Sequence, residues 1–321
     1  MRSLIRKSLQ VMILAVIFFY IGRFVVKNYH DLKQYEFHIH TVRLSISLLG
    51  FWVYLFGKLL NWQRITKEIG VQIPLDRAAV AWSYSMLGKY FPGKVFFLLG
   101  RIYFYGLEKQ SKKRITFCFL LESICSIMAA LIILIISMFF IEIRFLEAYR
   151  PWLIFCLGVV FLGGYPPVLR VVMNFLSDLF HRPRIVQTLK YSVFLKLVGR
   201  YCVTWLIFGV AFFYFVRAFY PVPVSVFLFL TGLYQLAALV GIFSLFAPAG
   251  IGVREGILLI GLKHVLPDTV SVLIAITGRL WYTAGELLFV GSVAGFARLR
   301  GIRLVHRQEL SRDEETGSSS H

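Results

Sequence analysis

Long apolar runs joined by short basic connectors organise this chain. Stretches at roughly 9–26, 44–60, 115–140, 152–173, 191–216, 225–246 and 270–297 are each apolar enough to predict a membrane-spanning helix. Such a helix needs about 20 residues to cross a hydrocarbon core of about 30 Å. The first run, Leu9 to Val26, follows Arg2, Arg6 and Lys7 and so has the charge flank of a signal peptide. Gly22-Arg23-Phe24 is a poor small-residue cleavage site, so the run is read as a retained span.

Two segments break this pattern. Residues 78–106 are interrupted by "KYFPGK", Lys89 to Lys94. Each half is about 14 residues, or ~21 Å as helix, and neither crosses the hydrocarbon alone. An unbroken helix through Pro92-Gly93 would lose a backbone hydrogen bond, so a re-entrant hairpin is expected. The second break is "LFAPAGIGVREG", Leu245 to Gly256, with a short downstream arm at 253–266.

The connectors orient the spans. If 78–106 enters and leaves on one side, the segments 1–8, 61–77, 107–114, 174–190 and 298–312 share a side and carry 18 Lys or Arg. The segments 27–43, 141–150, 217–224 and 263–269 share the other and carry 7. Positive charge marks the cytoplasmic face, which predicts cytoplasmic N- and C-termini in a cell (inner) membrane. The two breaks then open to opposite sides. Each precedes a long span with an intramembrane charge: Glu122 lies 30 residues after Pro92, and Arg279 lies 31 after Pro248. That is the layout of an inverted repeat; a complete span at 225–246 is the other reading.

Composition agrees with a polytopic membrane protein. Of 321 residues, 58% are hydrophobic and 16% charged, too little charge for a soluble domain of this size. The expected fold is all-α, with about seven to eight spans plus one or two broken hairpins. Residues 1–300 would form one membrane domain and 301–321 a disordered cytoplasmic tail. The formal charge of +19 sits in clusters between spans, a pattern of membrane topology that argues against nucleic-acid binding. The cysteines (Cys118, Cys125, Cys156, Cys202) lie within apolar runs without ligand spacing and read as packing residues. No Walker loop, nucleophile elbow or His-Glu-x-x-His motif is present, so no catalytic role, cofactor or metal is expected.

Candidate chemistry gathers at the breaks. Pro248, Gly250 and Gly252 free backbone groups that lipid cannot satisfy, which is tolerated only in protein or beside a wet cavity. A helix restarting near Gly252 or Val253 offers N–H groups to an anion, and Arg254 adds a planar donor suited to phosphate. Glu255, about 100° further round, is free to support the same helix start or pair with a cation. After Pro92 and Gly93, Lys94 is the leading phosphate candidate, with Arg101 seven residues on and Lys89 able to snorkel. Glu122 is expected to pair with a buried cation, and Arg279 and Glu286 share a stripe that reaches other helices. Structural kinks and packing salt bridges are the alternative for each.

The stretches "PAGIGVREG" and "LGKYFPGKVFFLLGR" resemble the lysylphosphatidylglycerol synthase transmembrane-region family, over about residues 5–300. The family pattern runs close to P-x-G-[LIV]-G-x-R-E. It carries over onto Pro92, Gly93, Glu122, Pro248, Gly250, Gly252, Arg254 and Glu255. The chain departs at "ESICS", where Ser123 and Ser126 stand in place of an Arg and an Asp, and at Phe96, where an acid is common. The resemblance implies a lipid-handling membrane domain without an aminoacyl-transferase. Its lipid partners would be an anionic phospholipid or a lipid-linked saccharide, moved between leaflets in the manner of a flippase. The alternative is a non-transporting scaffold for a membrane glycosyltransferase or a lipid-modifying enzyme.

Overall fold

Where the apolar runs are long, the chain forms long helices. The computed structural model describes residues 39–90, 95–139, 150–165, 189–244 and 252–302, with positions 167, 168, 171, 174 and 250 between them. Among these residues there is no strand. The helices are α1 (Thr41–Glu68), α2 (Leu75–Met86, continued by a 3₁₀ turn Leu87–Tyr90), α3 (Val95–Leu107), α4 (Lys112–Phe139), α5 (Arg150–Gly164), α6 (Tyr191–Phe219), α7 (Phe227–Phe243), α8 (Val253–Leu262) and α9 (Asp268–Leu299). Five of them, α1, α4, α6, α7 with its leading 3₁₀ turn, and α9, are long and apolar enough to cross a membrane. They coincide with five of the seven expected runs and are consistent with a multi-pass membrane protein. The expected span 9–26 and the tail beyond Ile302 lie outside the described residues; of 152–173, the part within α5 is described as helix.

Local chemistry sets the helix starts. Pro74 and Pro267 stand just ahead of α2 and α9, where the absent N–H is not missed. Asp76 and Asp268 occupy the first turns and complement the helix dipole.

The most extensive interface joins α1 and α6, which run antiparallel. His40 N–H donates to Ala218 O at 2.8 Å at one end. Towards the other, Asn61 Nδ2 donates to Thr204 Oγ1 and Arg200 Nε to Asn61 Oδ1, each at 2.9 Å. A Cβ on Gly50 would lie 3.2 Å from Ala211, and one on Gly57 3.5 Å from Thr204. Small residues at this spacing let helix backbones approach where lipid supplies no hydrophobic drive. Phe51, Phe215 and Trp281, with ring centroids 4.9 Å apart in each pair with Trp281, tie α9 to this core.

Both interrupted segments are helical hairpins. In the first, α2 and α3 lie antiparallel. Arg77 bridges Glu108 at 2.9 Å at the open end, and Arg101 Nε donates to Ser85 Oγ at 3.0 Å halfway along. Gly88 abuts the Phe96 backbone near the turn. Arg114 Nη1 donates to Gly70 O at 3.2 Å, so 61–77 and 107–114 share one end of the bundle, as the charge count expects. In the second hairpin α8 folds back on α7. Gly261 sits against Leu233, and Gly241 against Gly250 and Arg254. Gly250 and Gly252 have φ of 71° and 85°, conformations in which a Cβ is strained. Ten residues make α8 only about 15 Å long.

The two hairpins enter the bundle from opposite ends. The first starts beside the C-terminus of α1. The second starts beside the C-terminus of α6, where Phe227 meets Phe213 at 5.7 Å, and Gly232 of α7 packs on Ser137 late in α4. Their inner ends meet at Tyr282 of α9, whose hydroxyl is 3.5 Å from Lys89 Nζ and whose ring lies 4.4 Å from the Arg254 guanidinium.

Candidate functional site

A cavity of about 460 Å³ occupies the space between the hairpin tips. Its wall is built from Tyr54 and Lys58 of α1, Trp82, Lys89 and Tyr90 of the first hairpin, and Glu122, Ser123 and Ser126 of α4. Trp205 of α6, Tyr234 of α7, Arg254 of α8, and Arg279, Tyr282 and Glu286 of α9 complete it. Every one of these elements except α3 carries a polar group to the cavity; α3 contributes Phe97 and Leu98. Lys58 and Glu122 each lie within about one turn of the middle of their long helices, α1 and α4.

Most of the charge around the cavity is paired. Lys89 is ion-paired with Glu286, which also accepts the Tyr90 hydroxyl at 2.6 Å. Arg101 bridges Glu122 at 2.9 Å, with its guanidinium 3.8 Å over the Trp62 ring. Arg279 lies 3.5 Å from Glu255. The other Glu255 oxygen accepts the Gly252 N–H at 2.6 Å, which fixes the start of α8 to its own first turn. A buried charge without such a partner is expensive, because burial removes water that the pair must replace.

Among the described residues around the cavity, two cations lack that compensation. Arg254 lies between aromatic faces, 4.1 Å from the Tyr234 centroid and 4.4 Å from that of Tyr282. Lys58 Nζ is 5.7 Å from the Tyr54 centroid and 5.8 Å from that of Trp205. Among the described residues neither has a carboxylate within bridging distance. Ring quadrupoles hold such cations in place but do not neutralise them.

The expected site residues thus fall into three groups. Glu122, Arg254 and Arg279 line the cavity. Gly250 and Gly252 shape the turn behind it, and Glu255 stands behind the wall as the counter-charge of Arg279. Pro92, Gly93, Lys94 and Pro248 lie outside the described residues. One expectation needs correction. Arg101, expected among the substrate-binding residues, is fully buried against Trp62 and occupied by Glu122. Lys89, which the sequence leaves able to snorkel, turns inward to Glu286 because the 3₁₀ turn carries it to α9. Sequence reasoning overlooked Lys58, although it is the sole charge in the run 44–60, a signal in its own right. It also overlooked the tyrosines, whose spacing is indistinguishable from that of packing residues.

The fold and site define a helical bundle in which two opposed hairpins close on an aromatic-walled, cationic cavity. No protein-family model matches the chain, and no curated protein matches it.

Proposed function

We propose that this chain is a membrane transporter that moves an amphiphile with an anionic headgroup between leaflets, its acyl or prenyl chains remaining in the bilayer. The observation that carries this reading is the pair Lys58 and Arg254, held at a cavity and, among the described residues, without carboxylate partners. In a protein that merely packs, unpaired positive charge at this depth would be selected away or neutralised. A headgroup phosphate supplies the missing charge when it enters.

The opposed hairpins support the same reading. Broken helices that reach the midplane from both sides are the usual architecture of a site open alternately to either face. On this proposal the chain has seven to eight spans and an inverted repeat, α2 to α4 and α7 to α9. Each unit holds one ion pair between the hairpin's second arm and the following span, Arg101–Glu122 and Glu255–Arg279, with polarity reversed. Both termini would be cytoplasmic in a cell membrane. The resemblance of "PAGIGVREG" and "LGKYFPGKVFFLLGR" to lysylphosphatidylglycerol synthase transmembrane regions points the same way.

The test is transport of headgroup-labelled anionic lipid in proteoliposomes, read as the fraction of label protected from a membrane-impermeant quencher. Purified protein is expected to equilibrate the label, and Arg254→Ala to abolish that movement while the protein stays folded. Lack of movement by the intact protein, together with retained co-purification of a membrane enzyme by Arg254→Ala, would establish a scaffold instead.

A further inference from the structure

We infer that Lys58 and Arg254 form a two-cation clamp for a dianionic phosphate headgroup, a phosphomonoester or diphosphate, in preference to a phosphodiester. The inference rests on the transport reading above for its lipid source.

Charge balance is the first support. Around the cavity, among the described residues, five cations (Lys58, Lys89, Arg101, Arg254, Arg279) meet three carboxylates (Glu122, Glu255, Glu286). The three carboxylates are each taken by one cation, so the two left over are Lys58 and Arg254. A phosphodiester brings one negative charge and would leave one of the two cations uncompensated at the cavity wall. A zwitterionic headgroup leaves the excess of two cations unchanged, and a net-cationic one increases it. A dianion closes the balance.

Geometry is the second. The two cations line one cavity. Lys58 lies over Tyr54 and Arg254 over Tyr234, and both rings pack on Phe208, with centroids 4.9 and 4.2 Å away. The planar guanidinium suits two oxygens of one phosphate, while the ammonium is a compact point charge able to meet the third oxygen or a second phosphate. The cation–π contacts hold both heads without consuming their hydrogen bonds, which remain for the ligand.

Binding of decyl probes to the purified full-length protein in non-ionic detergent tests this, read by the fluorescence of Trp82 and Trp205, which line the cavity. Decyl phosphate at pH 8 and decyl diphosphate are expected to bind about tenfold or more tightly than decyl methyl phosphate, the worth of one charge-assisted contact. Affinity for decyl phosphate should rise between pH 5.5 and 8, as its second proton leaves near pH 6, while decyl methyl phosphate stays level. Lys58→Gln and Arg254→Gln should each erase the preference, and Lys58→Arg should keep it. Equal affinity for the two esters, or a preference that survives Lys58→Gln, overturns the clamp. Inorganic diphosphate binding as tightly as decyl diphosphate overturns the lipid source in favour of a soluble anion. The two readings fail separately: selective binding without lipid movement sinks transport alone, and movement of phosphodiester lipids with no ester preference sinks the clamp alone.

Discussion

Lys89 at the tip of the first hairpin is ion-paired with Glu286 of α9, a residue 197 positions later in the chain. That contact joins the two halves of the molecule at the cavity wall, and Tyr90 adds a second hydrogen bond to the same carboxylate. Both groups are shielded, with the Lys89 side chain 19% and Glu286 1% exposed, so each charge depends on the other.

Removing one partner should therefore hurt more than removing both. Glu286→Gln or Lys89→Met alone is expected to destabilise the protein by about 3–5 kcal/mol, and the double variant by distinctly less. Thermal unfolding in detergent across the four proteins measures the coupling. Additive effects would show that the pair contributes nothing jointly.

Arg101 should not tolerate lysine. Its guanidinium bridges Glu122, donates to Ser85 and stacks on Trp62 at once, and an ammonium cannot reproduce that planar arrangement. Arg101→Lys is expected to lose about 2 kcal/mol or more of stability. A melting temperature equal to that of the wild type would contradict the arrangement.

The second turn gives a contrast between neighbouring glycines. Gly250→Ala must hold a Cβ at φ 71° with Gly241 Cα 3.0 Å away, whereas a Cβ on Gly241 finds its nearest neighbours at 3.7 Å. Gly250→Ala is expected to cost about 1–2 kcal/mol from the left-handed backbone, and more from the clash, and to slow lipid movement. Gly241→Ala should leave both nearly unchanged. Proteoliposome rates and melting curves of the two variants decide the matter.

Cysteine accessibility checks the hairpin against a membrane. Ser111 is exposed beyond the end of α3, on the same end of the bundle as Gly70. In a background with Cys156 and Cys202 replaced, Ser111→Cys should react with an impermeant maleimide from the cytoplasmic side only. Labelling from outside intact cells would reverse the expected orientation of this end of the bundle.

How much of this was legible beforehand differs by residue. Apolar run length is a local property, so α1, α4, α6, α7 and α9 are readable from the chain, and the charge of their connectors orders which ends lie together. Pro92-Gly93 and the glycines around Arg254 likewise announce that a helix cannot continue, because φ and the missing N–H are set residue by residue. Glu122 could be assigned a buried cation as partner on energetic grounds alone, since an unpaired carboxylate there is too costly. Which cation it takes could not. Lys89, Lys94, Arg101 and Arg254 are equivalent in sequence, and only the packing of α3 on α4 brings Arg101 to Glu122. The 3₁₀ turn after Met86 carries Lys89 to Glu286. Lys58 and Arg254 are left over for the same reason: partnership depends on distances between elements far apart in the chain, and these are decided by how helices pack, not by the order of residues within them.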